Sequence, residues 1–345
     1  MAHEFESGFF VHQPAWHGLG TVLDDAPNIE TAIIKAGLDW NVVERPLFTD
    51  QQDFNDTEVL KPIVFDSTRI FSHKAIVRET DNSVLGIVGR TYTPVQNNEA
   101  FNFFDEILNS GAATLEAGGS LRNGQKIWVL AKMKAEGEVI KGDEVQSHLL
   151  LSNSHDGMMS LWIQFTPIRV VCMNTLSAAL ASRHNDYAIG KAIRLKHAPS
   201  VTEGLKIAKT LMNTSTQTFS ASMEAYKMFA SVPLDDKGFK KYVDSIFRVN
   251  PASAEVDMEK VLDEEPKRIS KRDELLFDLF ESGAGSDIKG VKGTLWAGYN
   301  ALTEWVDHYR GYGGQEGRLD TSWFGEGTVV RNKAFVEAIK VAKAA

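Results

Sequence analysis

Between Arg183 and Lys209 the chain carries Arg183, Lys191, Arg194, Lys196, Lys206 and Lys209 against only Asp186 and Glu203, a formal +4 inside a molecule of net charge −9. Arginine and lysine spread in this way can neutralise phosphates along a nucleic-acid strand, and an aromatic ring among them gives a base a surface to stack on. Tyr187 and His197 are the rings on offer, and Arg169 lies a short way upstream. The expected contact set is therefore Arg169, Arg183, Lys191, Arg194 and Lys196 for phosphates, with Tyr187 or His197 for stacking. The competing reading is a solvated basic surface that balances acidic helices elsewhere.

Other groups capable of chemistry do not assemble into a catalytic set. His155 and Asp156 are neighbours on an Asn-Ser-His-Asp-Gly turn, where adjacent side chains diverge and Asp-Gly is ordinary turn chemistry. Cys172 sits beside Val170 and Val171 and reads as a small buried residue rather than a nucleophile. The segment Trp16-His17-Gly18-Leu19-Gly20 reads either as a ligand-contacting loop or as a packed arm anchored by Trp16. A lone histidine without cysteine or acidic partners at metal spacing favours the arm. No Gly-Lys-Ser/Thr phosphate loop occurs, and Gly118-Gly119 precedes a hairpin rather than a helix, so no dinucleotide fingerprint is present. The carboxylates from Glu255 to Glu265 read as a solvated face. The expectation is a protein that is not an enzyme, with no cofactor and no metal.

The elements that must carry these residues can be read in outline. Asn28 caps a helix whose face is Ile29, Ala32, Ile33 and Ala36, and Gly37 ends it. Strands are expected at 59–65, 74–78 and 84–89. A helix from Asn97 buries Phe101, Phe104, Ile107 and Leu108. An antiparallel meander then runs 113–121, 126–133, 145–151 and 158–165, its first turn being Arg122-Asn123-Gly124. Pro167 is expected to break the ladder for want of an N–H, and Leu176-Ser-Ala-Ala-Leu-Ala-Ser182 to form a helix directly after it. From Ser200, where Ser-Val-Thr-Glu is a capping box, the period is helical: a long helix towards Phe229, another over 233–248, then 275–280, 294–309 and a basic one near 333–343. Residues 249–272 read as a charged linker and 311–317 as a glycine-rich loop. The fold class is α+β, an antiparallel meander followed by a helix, with a 1–199 core and a mainly helical 200–345 region.

A chain of 345 residues with 43% hydrophobic and 24% charged residues has the composition of a globular protein. No apolar run reaches spanning length, so no membrane partner is expected. A single cysteine excludes an internal disulfide and points to a reducing cytoplasm. The acidic total argues against a surface coated with nucleic acid, but a local basic groove responds to the nearby field rather than to the sum.

Five segments together carry a resemblance: Pro14 to Gly20, Tyr92-Thr-Pro-Val-Gln-Asn97, Asn153 to Gly157, Arg169-Val-Val-Cys-Met-Asn-Thr-Leu176 and Leu195-Lys-His197. Over nearly its whole length the chain resembles the phage/plasmid-like protein family, a domain of unknown function found on phages, plasmids and integrative elements. That likeness implies a mobile-element protein and brings no established catalytic residues. The meander-then-helix order is also similar to the core of phage single-strand annealing proteins, a likeness of fold alone. The expected function is binding of single-stranded DNA, aiding annealing or recombination, by a cytoplasmic homo-oligomer. The alternative is a structural or interaction protein that self-assembles or binds a host factor, with Trp296, Trp305 and Trp323 on its helices.

Overall fold

The computed structural model describes residues 5–12, 20–50, 67–102, 105–159, 161–171, 174–175, 179–180, 188–189, 193–195, 201–247, 270–310 and 325–345. It is an α+β fold. Strands β1 (Phe5–Val11) and β2 (Thr21–Leu23) lead into helix α1 (Ile29–Lys35). The Asn28 side chain accepts the Thr31 N–H at 2.9 Å and starts that helix, and Gly37 ends it at φ +68°, where a side chain would be strained.

Strands β3 (Val42–Asp50), β4 (Ser67–Arg78) and β5 (Val84–Gly89) form a three-stranded antiparallel sheet. Helices α2 (Asn97–Asn102) and α3 (Asp105–Asn109) follow, with Phe101 and Ile107 buried as the apolar spacing predicts. The expected strand at 59–65, Phe104, the loop 311–317 and most of the Trp16–Gly20 segment lie outside the described residues.

The meander is β6 (Ala113–Leu121), β7 (Lys126–Ile140), β8 (Asp143–Ser154) and β9 (Leu161–Arg169). Its neighbours pair in sequence order, and β1 and β2 extend the sheet beyond β6. Arg122, Asn123 and Gly124 all take positive φ in the β6–β7 turn, a tight connection that the Asn-Gly pair favours. One face of this sheet packs Ile127, Val129, Leu149, Leu151 and Ile163 against α1, α2 and α3. The opposite face carries Trp128, Leu130, Leu150 and Ile168.

Two local expectations are corrected. Pro167 does not end the ladder: it sits inside β9, opposite Ser147 of β8. Along the other edge of β9, β13 (Ile193–Leu195) pairs with residues 161–163 and β10 (Asn174–Thr175) with residues 168–169. Pro167 falls in the gap between them, where no N–H is called for. The run Leu176–Ser182 is not simply a helix either. Its Ala179–Leu180 is strand β11, paired antiparallel with β12 (Ala188–Ile189). Small residues favour a helix only until a strand partner becomes available.

Helix α4 (Val201–Ser231) then runs 31 residues, followed by α5 (Asp236–Phe247), α6 (Lys271–Ser282), α7 (Leu295–Glu304) with a π-helical turn at Trp305–Tyr309, and α8 (Glu326–Ala344). Ser270 caps α6, so the end of the expected linker belongs to this helix. Tyr226, Phe229, Trp296, Tyr299 and Phe335 form an aromatic core that also takes in Val139 of β7 and Val145 of β8. The helices thus close over one end of the meander.

Candidate functional site

Arg169 stands at the end of β9 and is fully buried. Its Nε and Nη2 donate to the two carboxylate oxygens of Asp143, both at 2.7 Å, and its Nη1 donates to the Ala284 carbonyl at 2.8 Å. The Trp296 indole N–H donates to the same carboxylate at 2.8 Å. This guanidinium joins the sheet to the helices, and its place in the expected phosphate set is corrected: desolvated and bidentately paired, it offers nothing to a phosphate outside.

Arg194 lies on β13, directly opposite Trp162 of β9. Trp162 is opposite Ser152, Ser152 is opposite Trp128, and Trp128 is opposite Gly119. Residues directly opposed across antiparallel strands share a face. One row across five strands therefore holds an arginine position and two tryptophans. Trp128 is fully buried within it and Trp162 only partly so. Arg183, Tyr187, Lys191, Lys196 and His197 lie outside the described residues. Trp162 is absent from the expected contact set, because its place opposite Arg194 depends on a strand pairing that the sequence does not display.

Two residue pairs further along the same face, Lys132, His148 and Thr166 are opposed in a second row. His148 Nε2 meets Glu116 Oε2 at 2.5 Å. Burial pushes the Glu116 carboxyl up, but the hydrogen bond and charge of His148, helped by Lys132 and His12, outweigh it and hold the group below its ordinary value. His148 Nδ1 and Thr166 Oγ1 are buried without a hydrogen-bond partner among the described residues.

Two of the segments quoted for the family likeness meet in space. His155 Nε2 lies 2.9 Å from Asn97 Oδ1, and the Asn97 amide donates to the Leu38 and Trp40 carbonyls at 3.0 and 3.2 Å. With both amide hydrogens committed, Asn97 presents its oxygen, so His155 Nε2 carries the proton and Nδ1 is bare. Asn153 donates to the Val95 carbonyl and Tyr92 to the Ser154 carbonyl. Burial drives the His155 imidazole down to about 4, with Arg78 pushing the same way against Asp156. Asp156 turns away and binds Ser154 and the Met158 N–H. The cluster is a neutral buried brace, as the divergence of adjacent turn residues implies, and not an acid–base pair.

An open pocket of about 410 Å³ lies between β1 and α1, lined by Glu6, Ser7, Gly20, Thr21, Lys35 and Gly37. Glu6 is already taken up by Arg78 at 2.7 Å and Ser120 at 2.7 Å. Among the described residues no group of three or more histidine, cysteine or acidic side chains is placed to hold a metal ion, and no helix is long and apolar enough to cross a membrane.

A meander extended into a larger sheet, braced by buried polar pairs and closed at one end by helices, defines an α+β protein in which Arg194 of β13 is registered opposite Trp162 of β9. The chain belongs to the domain-of-unknown-function family DUF932, whose model matches residues 84–345. No curated protein and no solved structure matches it.

Proposed function

We propose that this protein binds single-stranded DNA along the β9–β13 edge of its large sheet and aids annealing or recombination in a mobile genetic element. The observation that carries the reading is the register of Arg194 opposite Trp162. An arginine position registered opposite a partly buried tryptophan suits a strand of nucleotides, which needs charge for the phosphate and a flat surface for the base. The +4 segment from Arg183 to Lys209 includes β13 and the start of α4, which favours a polyanionic partner for this part of the chain. Arg169 takes no part, because its charge is spent on Asp143. A cytoplasmic, phage- or plasmid-borne role follows from the family resemblance.

The test is a mobility-shift assay at low salt with short single-stranded oligonucleotides. Binding that is largely indifferent to base sequence, and weakened in Arg194→Ala, is the expected result. Failure of the wild-type protein to shift any single strand contradicts the proposal.

A further inference from the structure

Strands β3 and β4 run on together beyond the three-stranded sheet. The β4–β5 pairing ends with His73 opposite Gly89, whereas β3 and β4 stay paired from Leu47 and Ile70 to Asp50 and Ser67. This two-stranded arm begins at a β-bulge: Pro46 is opposite Lys74 and Leu47 opposite Ile70, so Phe71, Ser72 and His73 are extra residues on β4. A bulge bends its strand and re-aims side chains. Phe71 is left 70% exposed, and Phe48 on the facing strand 54%. Arg69 lies directly opposite Phe48, and its guanidinium sits over the Phe71 ring, 5.2 Å from the centroid. Neither ring stacks on another aromatic side chain among the described residues. The root of the arm also has a definite place. A Cβ added at Gly157 would lie 2.7 Å from Val88 Cγ1, and Val88 is opposite Lys74, which borders the bulge. The turn that leads into β9 and Trp162 is therefore seated beside that root.

We infer that the base of the β3–β4 arm is a second contact for single-stranded nucleic acid, in which Phe48 and Phe71 each take a base and Arg69 and Arg90 the phosphates beside them. Charge selects this occupant. Glu44 is taken up by Lys74 at 2.6 Å, while Arg45, Arg69 and Arg90 are exposed and have no carboxylate partner among the described residues. The Arg90 N–H donates to the Ser72 carbonyl at 3.0 Å, which sets that arginine beside the bulge. Such a local surplus in a chain of net charge −9 favours a polyanion. Asp50 and the loop beyond it are acidic, with Asp53, Asp56, Glu58 and Asp66 against Lys61, so a polyanion is kept to the base of the arm. The apolar surface is also of the wrong kind for a protein partner. A stable protein interface buries about 800 Å² on each side, whereas two separate rings among Thr49, Thr68, Ser72 and His73 offer isolated stacking surfaces. The inference rests on the reading of single-strand binding at the β9–β13 edge and extends it to a second contact.

The experiment is fluorescence anisotropy of a labelled oligothymidine, long enough to span both contacts, with the full chain and three kinds of variant. Replacing both rings, Phe48→Ala with Phe71→Ala, is expected to weaken binding at least about fivefold per ring, with an unchanged circular dichroism spectrum because both side chains are exposed. Phe48→Tyr with Phe71→Tyr keeps the stacking surfaces and is expected to bind as the wild-type protein does. Arg69→Ala is expected to make log affinity against log salt shallower by about 0.7. Loss in the double alanine variant with no loss in Arg194→Ala upholds the arm and removes the β9–β13 edge. Loss in Arg194→Ala with wild-type affinity in the double alanine variant overturns the arm and leaves the edge standing. A tyrosine variant as weak as the alanine one also overturns the arm, and a wild-type protein that binds no oligothymidine removes both contacts.

Discussion

Arg169 and Asp143 form a bidentate pair at 2.7 Å for each bond, both side chains fully buried, with the Trp296 indole donating to the same carboxylate. Asp143 opens β8, Arg169 closes β9 and Trp296 lies in α7, so one ion pair ties the sheet to the helical core. The guanidinium also lies over the Trp296 ring, 5.6 Å from its centroid.

Arg169→Ala leaves Asp143 buried without its counter-charge and is expected to destabilise the fold by about 3–5 kcal/mol. Trp296→Phe keeps most of the volume and removes one hydrogen bond to a charged group, a loss of about 1.5–3 kcal/mol. Urea denaturation of both variants checks the order. Where Arg169→Ala remains folded, its affinity for single-stranded DNA is expected to match that of the wild-type protein. A selective loss of binding at full stability would restore Arg169 to the contact set.

The pair also marks where sequence reading stops. The caps and turns were legible because each is a local arrangement: Asn28 bonds a residue three positions on, and Arg122-Asn123-Gly124 adopts positive φ on its own account. The meander was legible from apolar runs bounded by turn residues such as Arg122-Asn123-Gly124, and α4 from its helical period. Arg169 was misassigned because its partners lie 26 and 115 residues away, and an arginine in a basic neighbourhood looks exposed until they are known. Pro167 was misread for a related reason. Whether a proline breaks a ladder depends on what pairs with the far edge of its strand, and here β10 and β13 leave it a gap. The strand at Ala179–Leu180 was hidden by small residues whose helical preference yields to an available partner. Of the candidate site, the basic segment was visible in composition, but the opposition of Arg194 and Trp162 is a matter of register.

His155 gives the fold a pH dependence of definite sign. Its imidazole is neutral in the folded protein down to about 4, against 6.5 ordinarily. Between these values the unfolded chain binds a proton that the folded one refuses, so stability is full above pH 6.5 and falls as pH drops towards 4. The difference corresponds to about 3 kcal/mol. Denaturant midpoints for the wild-type protein and His155→Gln at pH 7 and pH 5 isolate it. The variant is expected to start lower at pH 7 and to lose less on acidification. Parallel losses in the two proteins would assign the acid sensitivity to other groups.

Trp162→Ala removes the proposed stacking surface and is expected to weaken binding by about 1–3 kcal/mol, read as fluorescence anisotropy of a labelled oligonucleotide. Trp162→Phe keeps a ring and recovers part of the affinity. Equal losses in the two variants would place the indole in the fold rather than in the contact.

The most direct test is the salt dependence of binding to a single-stranded oligonucleotide, measured by anisotropy from about 50 to 200 mM salt for the wild-type protein and Arg194→Ala. Each phosphate contact adds about 0.7 to the steepness of log affinity against log salt for a single strand. The wild-type protein is predicted to show a steep negative slope, and Arg194→Ala one shallower by about that amount. A wild-type affinity that does not change with salt, or an Arg194→Ala slope identical to wild type, contradicts single-strand binding along the β9–β13 edge.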